Sequence, residues 1–166
     1  MTIRPFIPYT DPRLHRAVEP VETITETIRM VWDDMIDTMD AMPGVGLAAP
    51  QIGIMMRLAV VDASDKRGQA IRMANPEVLH ASGQMRAHDE ASPNLPGVFA
   101  RIERPRAVTV RFLNADGEIE DRDFVGLWAT SVQHQIDHLD GKLYVDHLSP
   151  LRRKMLVAKS AKFAKR

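Results

Sequence analysis

Residues Gln133 to Gly141 read QHQIDHLDG. His134 and His138 are four apart, so on a helix they share one face, and two imidazoles placed this way can hold one metal ion. In the metal-peptidase form of this spacing a glutamate follows the first histidine and handles the proton. Here that residue is Gln135, an amide that cannot act as a base. A buried imidazole needs a hydrogen-bond partner, a charge partner or a metal. On spacing alone, a pair of satisfied core histidines stands beside a metal site as a reading.

The element that must carry the pair is a helix over Val125–Leu139, with Val125, Trp128, Ala129, Val132, Ile136 and Leu139 as its apolar stripe. No Asp, Glu, Lys or Arg occurs from Val125 to Ile136, which predicts burial on several sides. An earlier helix is predicted by Val21, Ile24, Ile28, Val31, Met35 and Met39, with Thr23 and Glu26 as a capping box and Pro43-Gly44 as the stop. GVGLAAPQIG reads as a loop of small residues and RLAVVDAS as a short strand. IRMANPEVL reads as a strand pair broken at Asn75-Pro76, and RAVTVRFLNADGEIEDRDF as a hairpin turning at Ala115-Asp116-Gly117. A last helix starts at Ser149-Pro150. One buried helix among short antiparallel strands, with helices at each end, predicts an α+β fold.

Composition limits the chemistry. The chain has 166 residues, 45% hydrophobic and 27% charged, as expected for one domain with a core of its own. It has no cysteine, so it can form no disulfide and supply no thiolate ligand. The opening residues lack an apolar run with a cleavage site. The longest uncharged stretch, Ala41–Met56, is too short and too broken by Pro and Gly to span a bilayer. The expectation is a cytoplasmic protein without membrane association. Net charge is zero, yet residues 152–166 hold seven Lys/Arg and no acid, leaving 15 basic and 22 acidic residues in the rest. A basic end on an acidic body suggests an anionic partner, or simply a solvated terminal helix.

Three segments occur in order: GVGLAAPQ (44–51), EASPNLPG (90–97) and QHQIDHLDG (133–141). Together they resemble the three motifs of the peptide deformylase family, roughly GxGLAAxQ, EGCLS before a Pro-Gly turn, and QHExDHLxG. DPRL near the start, the DDMIDTM helix, Asn75-Pro76 and Glu103–Pro105 also match family words, so the resemblance spans nearly the whole chain. It implies a single deformylase-like domain over 1–166, with 149–166 as a basic C-terminal helix, and short antiparallel sheets around the buried motif helix. It also implies the family's chemistry. There a metal, often ferrous iron, is held by a cysteine and two histidines. It activates water against the formyl carbon of N-formylmethionine on a new peptide, and a glutamate handles the proton. A glutamine and a backbone N–H hold the formyl oxygen.

Carried over position by position, His134 and His138 match the ligands, Gln51 the oxyanion glutamine, and Gly46 the glycine beside the formyl group. Gln133 and Asp137 keep their places. Ser92 stands where the cysteine ligand belongs, and a neutral hydroxyl is a far weaker ligand than a thiolate. Pro93 follows it and has no N–H to offer the formyl oxygen. Gln135 replaces the general base. Loss of a base costs roughly 10²- to 10⁴-fold in rate, and loss of an oxyanion donor about a further 10²-fold. Phe99 replaces an arginine that many family members carry, which implies an altered substrate cleft or a change of packing. His88 and Asp89 are candidates for a replacement third ligand, while Glu90 matches a family glutamate expected to be a structural hydrogen-bond partner.

The expectation is a deformylase-like protein with little or no deformylase activity. The alternative is a metal-dependent hydrolase removing formyl groups from N-formylmethionyl peptides, slowly or with altered substrate. A divalent metal (Fe, Ni or Zn) at His134/His138 is expected to be weakly held or absent. The resemblance points the basic helix, with Arg152, Arg153, Lys154, Lys159, Lys162 and Lys165, toward the ribosome or a nascent peptide.

Overall fold

In the computed structural model, residues 2–165 are described; Met1 and Arg166, included in the expected domain and terminal helix, lie outside them. Helix α1 covers Glu26–Ala41. Its cap is Thr25, whose side chain accepts the Ile28 N–H, rather than Thr23. Ahead of the helix, the Asn75 side chain bonds both the N–H and the C=O of Val21 at 2.8 Å.

The strands follow as β1 (Gly46–Ala48), β2 (Leu58–Val61), β3 (Ile71–Ala81), β4 (Met85–Ser92), β5 (Leu95–Pro105), β6 (Ala107–Leu113) and β7 (Ile119–Val125). Five form one antiparallel sheet in the order β1-β2-β3-β6-β7, and β4 and β5 form a separate two-stranded sheet. The first motif is thus not a loop: Gly46–Ala48 is an edge strand, and a 3₁₀ turn over Ala49–Ile52 follows it. Asn75-Pro76 does not separate two strands either. It sits in an irregularity of the single strand β3, with Asn75 at φ 52°. The β6–β7 hairpin forms as expected.

Strand β2, LAVV, is apolar throughout because both its faces are covered. Leu58 and Val60 pack with Trp32, Met35 and Met39 of α1. Val61 faces the other way, toward Ala129 and Val132 of helix α2 (Gly126–Leu139). The strand order therefore places α1 and α2 on opposite sides of the sheet. Val125 ends β7 at the N-cap of α2 and is exposed, so it does not belong to the expected stripe. The uncharged character of α2 has a second cause: Thr130, Ser131, His134, Gln135 and His138 form a buried polar side.

Helix α3 covers Pro150–Ala164, with the Ser149 side chain capping Arg152 N–H. It packs on β5. The Ser160 hydroxyl donates to the Pro96 carbonyl at 2.7 Å, and the Phe163 ring occupies the space a β-carbon on Gly97 would need. No helix among the described residues is long and apolar enough to cross a membrane.

Candidate active site

The buried polar side of α2 faces a cavity of about 420 Å³ between β1 and the β4–β5 hairpin, bordered by Gly46, Gln51, Ser92, Pro93, His134 and Gln135. Residues read from three distant segments therefore meet at one place. β1 and the following 3₁₀ turn bring Gly46 and Gln51; the two-residue hairpin turn between Ser92 and Leu95 brings Ser92 and Pro93; α2 brings the rest.

The two imidazoles converge. His134 Nε2 and His138 Nε2 are 3.2 Å apart. Two nitrogens on one tetrahedral zinc-like ion, each at about 2.05 Å, would be about 3.3 Å apart. The spacing therefore suits a shared divalent ion. Behind His134, the Glu90 carboxylate accepts from Nδ1 at 2.8 Å, which fixes the ring and turns Nε2 toward His138. His138 fits less completely. It is fully buried, and burial followed by the neighbouring His134 pushes its pKa well below the ordinary value, so the ring is neutral. Its Nδ1 has no partner among the described residues. A metal-bound histidine normally donates that second N–H to an acceptor, and lack of one weakens the metal by about 10–100-fold.

The third ligand position is weaker still. The Ser92 hydroxyl donates to Asn94 Oδ1 at 3.1 Å and accepts from Gln51 Nε2 at 3.3 Å. The alternation of β4 puts His88 on the face of Glu90 and Ser92, with Asp89 exposed on the other. Neither completes the pair: among the described residues, no group of three His, Cys, Asp or Glu side chains is placed to hold an ion. Phe99 does not border the cavity. It is 64% exposed, because Val98, Ala100 and Ile102 of β5 face the core and Phe99 alternates with them.

Sequence reasoning passed over three residues here. Arg104 is buried and joins two carboxylates. It bonds both oxygens of Glu90 at 2.7 and 2.9 Å and Asp137 at 2.9 Å, and His147 closes the chain on Asp137 at 2.8 Å. The ERP word marked its place but not its role. Asn94 makes four bonds, to Ile7 O, Gln51 O, Gln51 Nε2 and Ser92 Oγ, all between 2.8 and 3.1 Å. Tyr144 is fully buried, its ring stacks near His134, and its hydroxyl has no partner among the described residues. Burial, then the charge of Glu90, push that hydroxyl's pKa well up.

Burial alone would raise the pKa of Glu90, but the bonds from His134 and Arg104 outweigh it and hold the carboxyl at about 2. An unfolded glutamate titrates at about 4.3. The folded value is the lower one, so this group's contribution to stability is full above about pH 4.3 and is lost as pH falls toward 2. Glu90→Gln should flatten the melting temperature against pH across that window. An unchanged acid slope would show that other carboxylates govern it.

A polypeptide deformylase family model matches residues 3–154. The chain belongs to this family. The peptide deformylase of Afipia carboxidovorans is 41% identical over 167 residues, covering 99% of this chain and 98% of that one. The peptide deformylase of Rhizobium meliloti is 42% identical over 168 residues, covering 99% and 96%. A peptide deformylase structure from Legionella pneumophila superposes with a TM-score of 0.92 at 40% identity, covering 99% of this chain and 96% of that chain. One from Ehrlichia chaffeensis, in complex with actinonin, superposes with a TM-score of 0.92 at 30% identity, covering 98% of each. The deformylase fold is thus kept throughout, and Ser92, Pro93 and Gln135 lie together at the cavity wall.

Proposed function

We propose that the protein is a deformylase-type hydrolase that acts slowly on N-formylmethionyl peptides, with a weakly held divalent ion (iron, nickel or zinc) at His134 and His138. The observation that carries this reading is the converging imidazole pair, 3.2 Å apart and braced by Glu90, beside a peptide-sized cavity. Near full-length likeness to relatives named peptide deformylase supports hydrolysis over binding alone. When bound, such an ion supplies a polarised acyl oxygen and a more acidic water. The chain's own residues add less than is usual: Gln135 cannot take a proton, Pro93 has no N–H, and Gln51 already spends its donors on Ser92 and Asn94. These same three facts favour a second reading, a cleft that holds formyl-peptide ends without turning them over.

Basic α3 is proposed to dock the protein in the cytoplasm on the ribosome or a nascent chain, a contact that added salt should weaken.

The deciding experiment is anaerobic formate release from an N-formylmethionyl peptide with added ferrous, nickel or zinc ions. Slow release that requires metal and disappears in His134→Ala is the expected result. Release no greater than that of His134→Ala would remove the hydrolase reading and leave the binding one.

A further inference from the structure

Two side-chain amides border the cavity, and they differ in what they bond. Gln51 is fully committed. Its Oε1 accepts the Ala48 N–H at 2.9 Å, and its Nε2 donates to Asn94 Oδ1 at 2.8 Å and Ser92 Oγ at 3.3 Å. Gln135 is 4% exposed and makes no side-chain hydrogen bond among the described residues. Its Oε1 is buried without a partner among those residues. Its Nε2 rests against Gly46, 2.5 Å from where a β-carbon on that residue would sit. The hydroxyl next to it is also taken, since Ser131 donates to Val45 O at 2.8 Å.

The Nε2 donates to no group among the described residues and is not sealed from the cavity, so an acyl oxygen placed there can accept from a donor the protein does not use itself. The bare backbone of Gly46 leaves room for this amide at the cavity wall, and any side chain there would displace it. We infer that Gln135 holds the ligand's acyl group, its Nε2 donating to the acyl oxygen in place of the committed Gln51 and the N–H that Pro93 lacks. This rests on the proposal that the cavity takes N-formyl peptide ends. A neutral amide suits the task, because a carboxylate in its place would face the partial negative charge of that oxygen. The residue at the proton-handling position therefore grips the formyl end and leaves it unreacted for longer.

The test is calorimetric titration of the whole protein, at matched metal content, with an N-formyl-Met-Ala peptide and with its unformylated counterpart. The parent should prefer the formylated peptide. Gln135→Met should lose about three- to tenfold in affinity for it, with no change for the unformylated one. Gln135→Glu should also bind the formylated peptide more weakly at neutral pH. If circular dichroism shows Gln135→Met unfolded, the isosteric Gln135→Glu decides. A parent that prefers the formylated peptide, with variants that bind it equally well, would overturn this assignment and leave the function proposed above intact. A parent without that preference would overturn both.

Discussion

Gln135→Glu, Ser92→Cys and Pro93→Leu introduced together should raise formate release from an N-formylmethionyl peptide by at least about 10²-fold. Each change supplies a group that this site lacks. Glutamate has the shape of glutamine, and its carboxylate can take the proton. Cysteine fits the 5%-exposed Ser92 site and supplies a thiolate, a much stronger third ligand. Leucine returns the N–H that proline removed. A single change should yield much less, because catalytic groups that act as a unit do not contribute independently. Asn94 still occupies one donor of Gln51, so the gain should fall short of full family chemistry. Formate release per metal-loaded protein is the measurement. A rise of less than about tenfold at full metal occupancy would place the defect in the geometry of the cavity instead.

Arg104→Leu should destabilise the protein by about 3–5 kcal/mol, since it leaves buried carboxylates without their counter-charge. The Arg104 and Glu90 side chains are 5% and 3% exposed, and Asp137 is 20% exposed. At about 2–4 °C per kcal/mol for a domain of this size, the melting midpoint should fall by roughly 10 °C. The exposed pair Arg111–Asp121 is the internal contrast, and Arg111→Leu should barely move the midpoint. Metal content should fall along with stability in Arg104→Leu, because Glu90 would no longer be held under His134. A midpoint within about 2 °C of the parent would mean that water or rearrangement replaces Arg104.

The sequence revealed the elements whose pattern follows a single neighbour. Alternation of Val108, Val110 and Phe112 defined the β6–β7 hairpin, and the Ser149-Pro150 start of α3 is local chemistry. It misled where tertiary contact overrides pattern. Asn75-Pro76 suggested a break, but the Asn75 side chain uses the irregularity to hold Val21. Phe99 was placed in the cleft by motif position alone; the period-two burial of Val98, Ala100 and Ile102, once β5 is recognised, turns it outward. The candidate site was legible as residue types. What was not legible is which of them are already bonded, and that is what separates Gln51 from Gln135.

Asn94 has a consequence for how the molecule assembles. Its one carboxamide joins Ile7, Gln51 and the hairpin tip, separated by up to 87 positions along the chain. Closing such a loop is a late and entropically costly event, and no local segment can make these bonds early. The cavity wall should therefore be among the last parts to order during refolding, and the helices should acquire amide protection before Gln51 and Ser92 are locked. The pocket should therefore form only as the fold is completed.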